Sequence, residues 1–259
     1  MSRPTTPADK SFWGHLDDLR TVLIRMAIVL VVFMAGFFYF MPWLFDNVIL
    51  APCHAGFPTY RLLDGTVVAP AGGEGFEVRL INVRLASQFF THMSLSFWLA
   101  IVFAMPVLIY QLWGFIRPAL YDNELRGART AFAFGSLMFF LGVAVGYFAV
   151  FPVTLRFLYT YELSGSISNM LSLDSYIDTF LMLNLMMGLA FELPLLAWAL
   201  SAVGLLHRPF FNRYRRHAIV VLLILAAFIT PTGDPFTLLV VFLPLYLLYE
   251  LSALLVKKE

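Results

Sequence analysis

The sequence predicts an all-α integral membrane protein with six transmembrane helices, on three observations. Of its 259 residues 61% are hydrophobic and 13% are charged, and its mean hydropathy is +0.82. An average soluble domain is about 45–50% apolar and about 25% charged. The apolar residues collect in six runs, at about 22–44, 92–116, 130–152, 175–203, 217–231 and 235–253. Basic residues divide unevenly between the alternating connections, 13 on one side and 4 on the other.

Each run can be justified in order. A helix needs ~20 residues to cross a hydrocarbon core of ~30 Å, and the first four runs meet that length. The first is too long for the apolar core of a cleavable leader, and no small-x-small cleavage site follows it, so it is read as a retained span. The fourth is long enough to tilt, and Pro194 within it is expected to kink it. The fifth is short, about 21 Å at the 1.5 Å rise of a helix. The sixth follows it through the turn Pro231-Thr232-Gly233-Asp234-Pro235, so the two form a short helical hairpin. Lys and Arg concentrate before the first run, between the second and third, between the fourth and fifth, and after the sixth. The positive-inside rule then places both termini in the cytoplasm. The chain is expected to form a single polytopic domain, 1–259.

The external loop 45–91 carries a flexible middle, Ala69-Pro70-Ala71-Gly72-Gly73-Glu74-Gly75. The pieces 66–68 and 76–80 on either side alternate weakly, which suggests a small hairpin. The second external loop, 153–174, is polar, and Ser172 or Asp174 suits the cap of the fourth span.

Function is sought in the charged residues. Asp17 and Asp18 stand in His15-Leu16-Asp17-Asp18-Leu19-Arg20, one turn before the first span. Acidic residues there complement the helix dipole, and Asp17 with Arg20 makes an i,i+3 pair. The other reading is recognition of a cationic ligand, because carboxylate–guanidinium pairs are bidentate and charge-assisted. Glu124 lies in the first cytoplasmic loop. Glu192 falls inside the fourth span, where an ionisable group is costly and is a functional-site hypothesis by default; a neutral Glu hydrogen-bonded to a neighbouring helix is the alternative. Asp234 reads as a turn residue beside Pro235. Phe115, Pro118 and Tyr121 suit packing at the interfacial belt. Cys53 is the sole cysteine, so no intrachain disulfide can form. The five histidines, His15, His54, His92, His207 and His217, lack metal-ligand spacing. No metal, cofactor, enzymatic activity or nucleic-acid partner is expected. A proton- or cation-coupled secondary transporter using Glu192 is the competing class, although the chain lacks the internal repeats common in such folds.

Five motifs, taken in order, carry a resemblance. His15 to Arg20 resembles a His-Leu-x-Glu-Leu-Arg signature. Gln111-Leu112-Trp113-Gly114-Phe115-Ile116-Arg117-Pro118-Ala119-Leu120-Tyr121 with Glu124, Phe191-Glu192-Leu193-Pro194, Thr230-Pro231 with Asp234, and Pro244-Leu245-Tyr246-Leu247-Leu248-Tyr249-Glu250 follow. Together they resemble the TatC family, the multispanning core of the twin-arginine protein translocase, over about 11–253. The resemblance implies a concave six-helix bundle in the bacterial cytoplasmic (inner) membrane. It implies that the protein binds twin-arginine signal peptides at its cytoplasmic face and helps move folded proteins across, driven by the proton-motive force. Asp18 and Glu124 would each pair with one guanidinium, and His15, Asp17, Arg20, Phe115, Pro118 and Tyr121 would adjoin that site. Glu192 would contact a partner helix or cargo, and Asp234 would mark a functional turn. Small single-span proteins resembling TatA, and TatB where one exists, are the implied partners, in an oligomer within membrane lipid. The chain departs from the family's pattern in having Asp18 for Glu, Val22 for a further Arg, Ser94 for Lys, and an apparent insertion at about 54–80.

Overall fold

The computed structural model describes residues 12–62, 76–116, 125–161, 163–164, 166, 169–202 and 206–256; for residues 12–16, 18, 112–116, 125–132 and 202 it describes the backbone alone. Nine α-helices run through these residues: α1 (Phe12–Leu44), α2 (Pro58–Leu62), α3 (Ser87–Ile116), α4 (Leu125–Val145), α5 (Phe151–Thr160), α6 (Leu173–Ala190), α7 (Leu193–Ala202), α8 (Arg208–Ile229) and α9 (Pro235–Leu255). Five stretches are long and apolar enough to cross a bilayer: 19–53, 87–111, 133–160, 173–201 and 235–255. The protein is therefore a multi-pass membrane protein. The fifth expected span corresponds to α8, whose first half carries Arg208, Arg213, Arg215 and Arg216.

The helices share two ends. At the loop end, the end of the first span meets the starts of α3 and α6 and the π-helical turn between α4 and α5, and the turn before α9 lies beside α5 and the start of α6. The start of α1 and the last turns of α9 lie toward the opposite, terminal end. There Arg215 on α8 pairs with Glu250 on α9 at 2.7 Å, the Tyr246 hydroxyl donates to Glu250 at 3.1 Å, and the Tyr249 hydroxyl donates to the Phe211 carbonyl at 2.8 Å.

Proline shapes the loop end. It cannot donate to the carbonyl four residues back, and within a helix its ring also crowds that group. A freed carbonyl at membrane depth has no water to turn to and must be met by protein. At the loop end three prolines pose this problem, and each is answered from another element. Pro42 frees the Phe38 carbonyl, which accepts from His92 Nε2 at 2.9 Å. Pro52 frees that of Val48, which accepts from the Tyr147 hydroxyl at 2.8 Å. Pro152 frees that of Phe148, which accepts from the Thr59 hydroxyl. Two π-helical turns, Phe45–Ile49 and Gly146–Val150, occupy these same places. The buried Tyr176 hydroxyl adds a bond to the Ile49 carbonyl, tying α6 to the end of the first span.

The central seam joins α4 to α6 and is built on small residues, which let backbones approach closely where lipid supplies no hydrophobic drive between helices. A Cβ at Gly142 would stand 2.5 Å from the Met187 carbonyl oxygen and 2.9 Å from Gly188 Cα. One at Gly146 would stand 3.0 Å from Asn184 Oδ1, and one at Gly188 would stand 2.9 Å from the Phe139 ring.

The first long loop folds back onto its own start and onto the second loop. Residues 66–68, one arm of the expected hairpin, lie outside the described residues; 76–81, the other arm, is described. The Val78 amide donates to the Cys53 carbonyl at 3.0 Å, His54 bridges to Glu77, and the strand β1 (Leu80–Ile81) runs parallel to β2 (Leu171–Ser172) of the second loop. Buried Arg156 on α5 lies against this cover, its guanidinium 5.1 Å from the Tyr60 ring centre and 5.5 Å from that of Phe76. Cation–π attraction is strengthened when the cation is desolvated.

Candidate functional site: the terminal end and the break at Glu192

At the terminal end, α1 begins ten residues ahead of its expected span, so His15 to Arg20 form its opening turns. With 33 residues it is about 50 Å long at 1.5 Å per residue, well beyond the ~30 Å core. Asp17 and Arg20 are exposed, and the Thr21 hydroxyl donates to the Asp17 carbonyl at 2.9 Å. Among the described residues no ion pair joins Asp17 to Arg20, so the local pair anticipated from their spacing is not made. Asp18 follows on the helix about 100° further round. His15 and Asp18 are placed by backbone only, as is Phe115 near the end of α3. Pro118, Tyr121 and Glu124 lie outside the described residues. Helix α1 packs along α3, and their contact at Phe38 and His92 places the end of one against the start of the other. The two therefore run antiparallel, and the start of α1 shares its end of the bundle with the close of α3, from which 117–124 continues.

The fourth span breaks in its interior. α6 stops at Ala190 and α7 restarts at Leu193, with Pro194 in its first turn. The expected kink is thus a full interruption, and Glu192 sits in it. Its backbone amide donates to Leu189 at 3.1 Å, and its carbonyl accepts from Leu196 at 2.9 Å. The side chain turns toward α4. A Cβ at Gly135 would lie 3.1 Å from Glu192 Oε2 and 2.5 Å from Leu195. Glu192 Oε1 is buried without a hydrogen-bond partner, as is the hydroxyl of Ser136, the residue after Gly135 on α4.

Asp234 behaves oppositely. It caps α9, accepting from the Thr237 amide at 2.7 Å and from the Thr232 hydroxyl at 2.6 Å. Partial burial pushes its pKa up, but the bonds from Thr232 and Thr237 outweigh it and hold the carboxyl below its ordinary value. Gly233 precedes it at φ +62°, a conformation glycine adopts without a Cβ clash. Ser172 caps α6 in the same way, accepting from the Ser175 amide at 3.2 Å. Among the described residues no group of three or more His, Cys, Asp or Glu gathers as a metal site.

Comparison with known proteins decides what this architecture is. The family described as Sec-independent protein translocase protein (TatC) matches residues 14–244. The chain belongs to the TatC family. It is 34% identical to the Deinococcus radiodurans Sec-independent protein translocase protein TatC over 98% of this chain and 88% of that one. With the TatC of a Blattabacterium it shares 32% identity over 93% of this chain and 92% of the relative. A crystal structure of the twin-arginine translocase receptor TatC in DDM superposes with a TM-score of 0.76 at 30% identity, covering 94% of this chain and 99% of that one. The protein is thus a TatC subunit of the Sec-independent, twin-arginine translocase, a membrane transport component.

Sequence reasoning missed three features of this TatC chain. The glycine seam leaves a signal in the spacing of Gly135, Gly142 and Gly146. The cage around Arg156 draws on residues 80 and more apart, and no local pattern announces it. The partnering of proline-freed carbonyls by His92, Tyr147 and Thr59 is equally non-local.

Proposed function

We propose that the terminal end of this TatC bundle is the receptor surface for twin-arginine signal peptides, with Asp18 and Glu124 each pairing with one guanidinium. The observation that carries the reading is the antiparallel packing of α1 on α3. It brings the His15–Arg20 turns and the segment leading to Glu124 to one end of the molecule. The absence of a pair between Asp17 and Arg20 leaves the Asp17 carboxylate available beside Asp18. Two carboxylates held on one surface select two adjacent Arg, because Lys lacks the planar fork. His15, Arg20, Phe115, Pro118 and Tyr121 frame that surface.

This end faces the cytoplasm, following the excess of Lys and Arg on its flanks. Both termini are cytoplasmic, α8 completes six spans, and the membrane is the bacterial inner membrane. Folded cargo crosses under the proton-motive force, without a cofactor and without enzymatic chemistry by this chain. TatA-like and TatB-like single-span proteins are its partners in an oligomer, and Glu192 offers its unpartnered oxygen to a partner helix. Asp234 serves the fold of the outer turn.

Photocrosslinking in membranes tests the site. Wild type should capture an Arg-Arg signal peptide several-fold better than its Lys-Lys counterpart, and Asp18→Ala or Glu124→Ala should abolish the difference. Equal capture of both peptides by wild type and variants would sink the assignment.

A further inference from the structure

We propose that a cleft at the loop end binds a lipid headgroup carrying both a phosphate and a primary ammonium, as in phosphatidylethanolamine. The proposal goes beyond the translocase reading and does not depend on it.

The cleft has a polar mouth of about 450 Å³, lined among others by Arg84, Asp174, Ser175, Asp178, Thr179 and Thr232. Asp174 is already engaged: one oxygen accepts from the Ser87 hydroxyl, and the other lies 3.7 Å from Arg84 Nε. Asp178 follows four residues later on the same helix face. It is exposed and makes no ion pair among the described residues. The Arg84 side chain is 80% exposed, and that single contact leaves most of its five N–H donors free. One cavity therefore presents an unengaged carboxylate and a guanidinium with spare donors, with the hydroxyls of Ser175, Thr179 and Thr232 around them.

A second cavity of about 200 Å³ adjoins it, sharing Ser175, Thr179 and Thr232, and is lined further by the apolar Phe151, Leu155 and Leu158. Thr154, fully buried, lines this cavity with its hydroxyl unpartnered. A polar mouth opening onto an apolar recess matches a headgroup followed by the first part of an acyl chain. The cleft also sits where the apolar spans begin, at the starts of α3 and α6, which is headgroup depth.

Charge narrows the ligand. A purely anionic headgroup would meet Asp174 and Asp178. A purely cationic ligand would meet Arg84. A zwitterion places its phosphate on Arg84 and its ammonium on Asp178. A primary ammonium donates three hydrogen bonds, to Asp178 and the hydroxyls, whereas the quaternary ammonium of a choline headgroup donates none.

Native mass spectrometry of the detergent-solubilised full chain tests this with phosphatidylethanolamine, phosphatidylcholine and phosphatidylglycerol of matched acyl chains. Phosphatidylethanolamine should be retained roughly three- to tenfold over the other two, the range for one charge-assisted contact in a half-open site. Asp178→Asn should bring the three lipids within about twofold. Arg84→Gln should weaken phosphatidylethanolamine and phosphatidylglycerol alike. Thiol labelling of buried Cys53 reports whether each variant is folded. Equal retention of the three lipids by wild type, or an undiminished preference in Asp178→Asn, overturns the proposal. So does Asp178-dependent binding of a lysine-containing peptide by protein that shows no lipid preference, which would make the cleft a polypeptide site. The readout is lipid, so failure here leaves the signal-peptide assignment standing.

Discussion

The loop end and the break at Glu192 set the same physical problem and solve it differently. Both interrupt helices inside a membrane protein at proline, where a backbone group loses its helical partner. At the loop end, His92, Tyr147 and Thr59 reach across from other elements and take up the freed carbonyls of Phe38, Val48 and Phe148. At the break, a carboxyl oxygen of Glu192 is buried with no partner. An unmade hydrogen bond costs more than a made one contributes. The proline-freed carbonyls of the loop end are paired off and serve the scaffold, although Thr154, Arg156 and Thr237 there each keep a buried polar atom without a partner. The break keeps an unpaired carboxyl oxygen inside a span, with capacity left for something that binds it.

The contrast is broken most severely at the seam that holds the two regions together. In Gly142→Leu the first added carbon would already lie 2.5 Å from the Met187 carbonyl oxygen and 2.9 Å from Gly188 Cα, and backbone cannot step aside as a side chain can. Overpacking of this kind is expected to cost about 3 kcal/mol. The measurement is the temperature at which Cys53, the sole and buried cysteine, becomes reactive to a thiol dye in detergent. Gly36→Leu is the control, since a Cβ at Gly36 meets nothing within 4 Å and should change the midpoint little. Similar midpoints for the two variants would mean that α4 and α6 are not locked by close approach.

Two smaller changes sharpen the account of the loop end. Tyr147→Phe keeps the ring and removes the donor to Val48, leaving that carbonyl unpaired at a cost of about 2 kcal/mol. Asp234→Ala removes a helix cap and is expected to cost about 1 kcal/mol. Because hydrogen bonding depresses the folded-state pKa of Asp234, its contribution is fully present above the unfolded carboxyl value. It is lost as pH falls from about 4 through the lowered folded value. A Cys53-labelling midpoint measured between pH 3 and 6 should therefore fall more steeply in wild type than in Asp234→Ala at the acid end.

Five of the spans were legible because apolar length is a local, summed signal. The run at 22–44 and the cap at Ser172 could be read from neighbouring residues. The fifth helix, expected to be short at 217–231, instead runs over 22 residues, because its polar, Arg-rich first half continues the helix without adding to the apolar run. Glu192 was legible too, since an acid within an apolar run stands out. Its surroundings were not: the notch at Gly135 belongs to another helix. The contacts of 76–81 with His54 and with Leu171–Ser172 lie beyond local alternation, because a strand edge takes whichever partner the tertiary fold brings to it. The acidic pair at Asp17 and Asp18 stood out in the sequence, whereas the sharing of one end by the start of α1 and the close of α3 is a tertiary fact that no local pattern carries.

The smallest effect on stability is expected at the residue with the largest expected effect on transport. Glu192→Gln preserves shape and keeps a polar head in the notch beside Gly135, so the Cys53-labelling midpoint should move by less than about 0.5 kcal/mol equivalent. No internal hydrogen bond of Glu192 Oε1 is lost, because none is made. If that oxygen serves a partner helix, the carboxylate's acceptor capacity matters and an amide replaces it poorly. Export of a twin-arginine cargo and crosslinking of a single-span partner to the break should then both fall several-fold in the Gln variant, while signal-peptide capture at the terminal end persists. Loss of signal-peptide capture together with export would instead tie Glu192 to the receptor surface and erase the distinction between the two sites. A large fall in the labelling midpoint would place Glu192 with Tyr147 and Asp234, as one more group serving the fold.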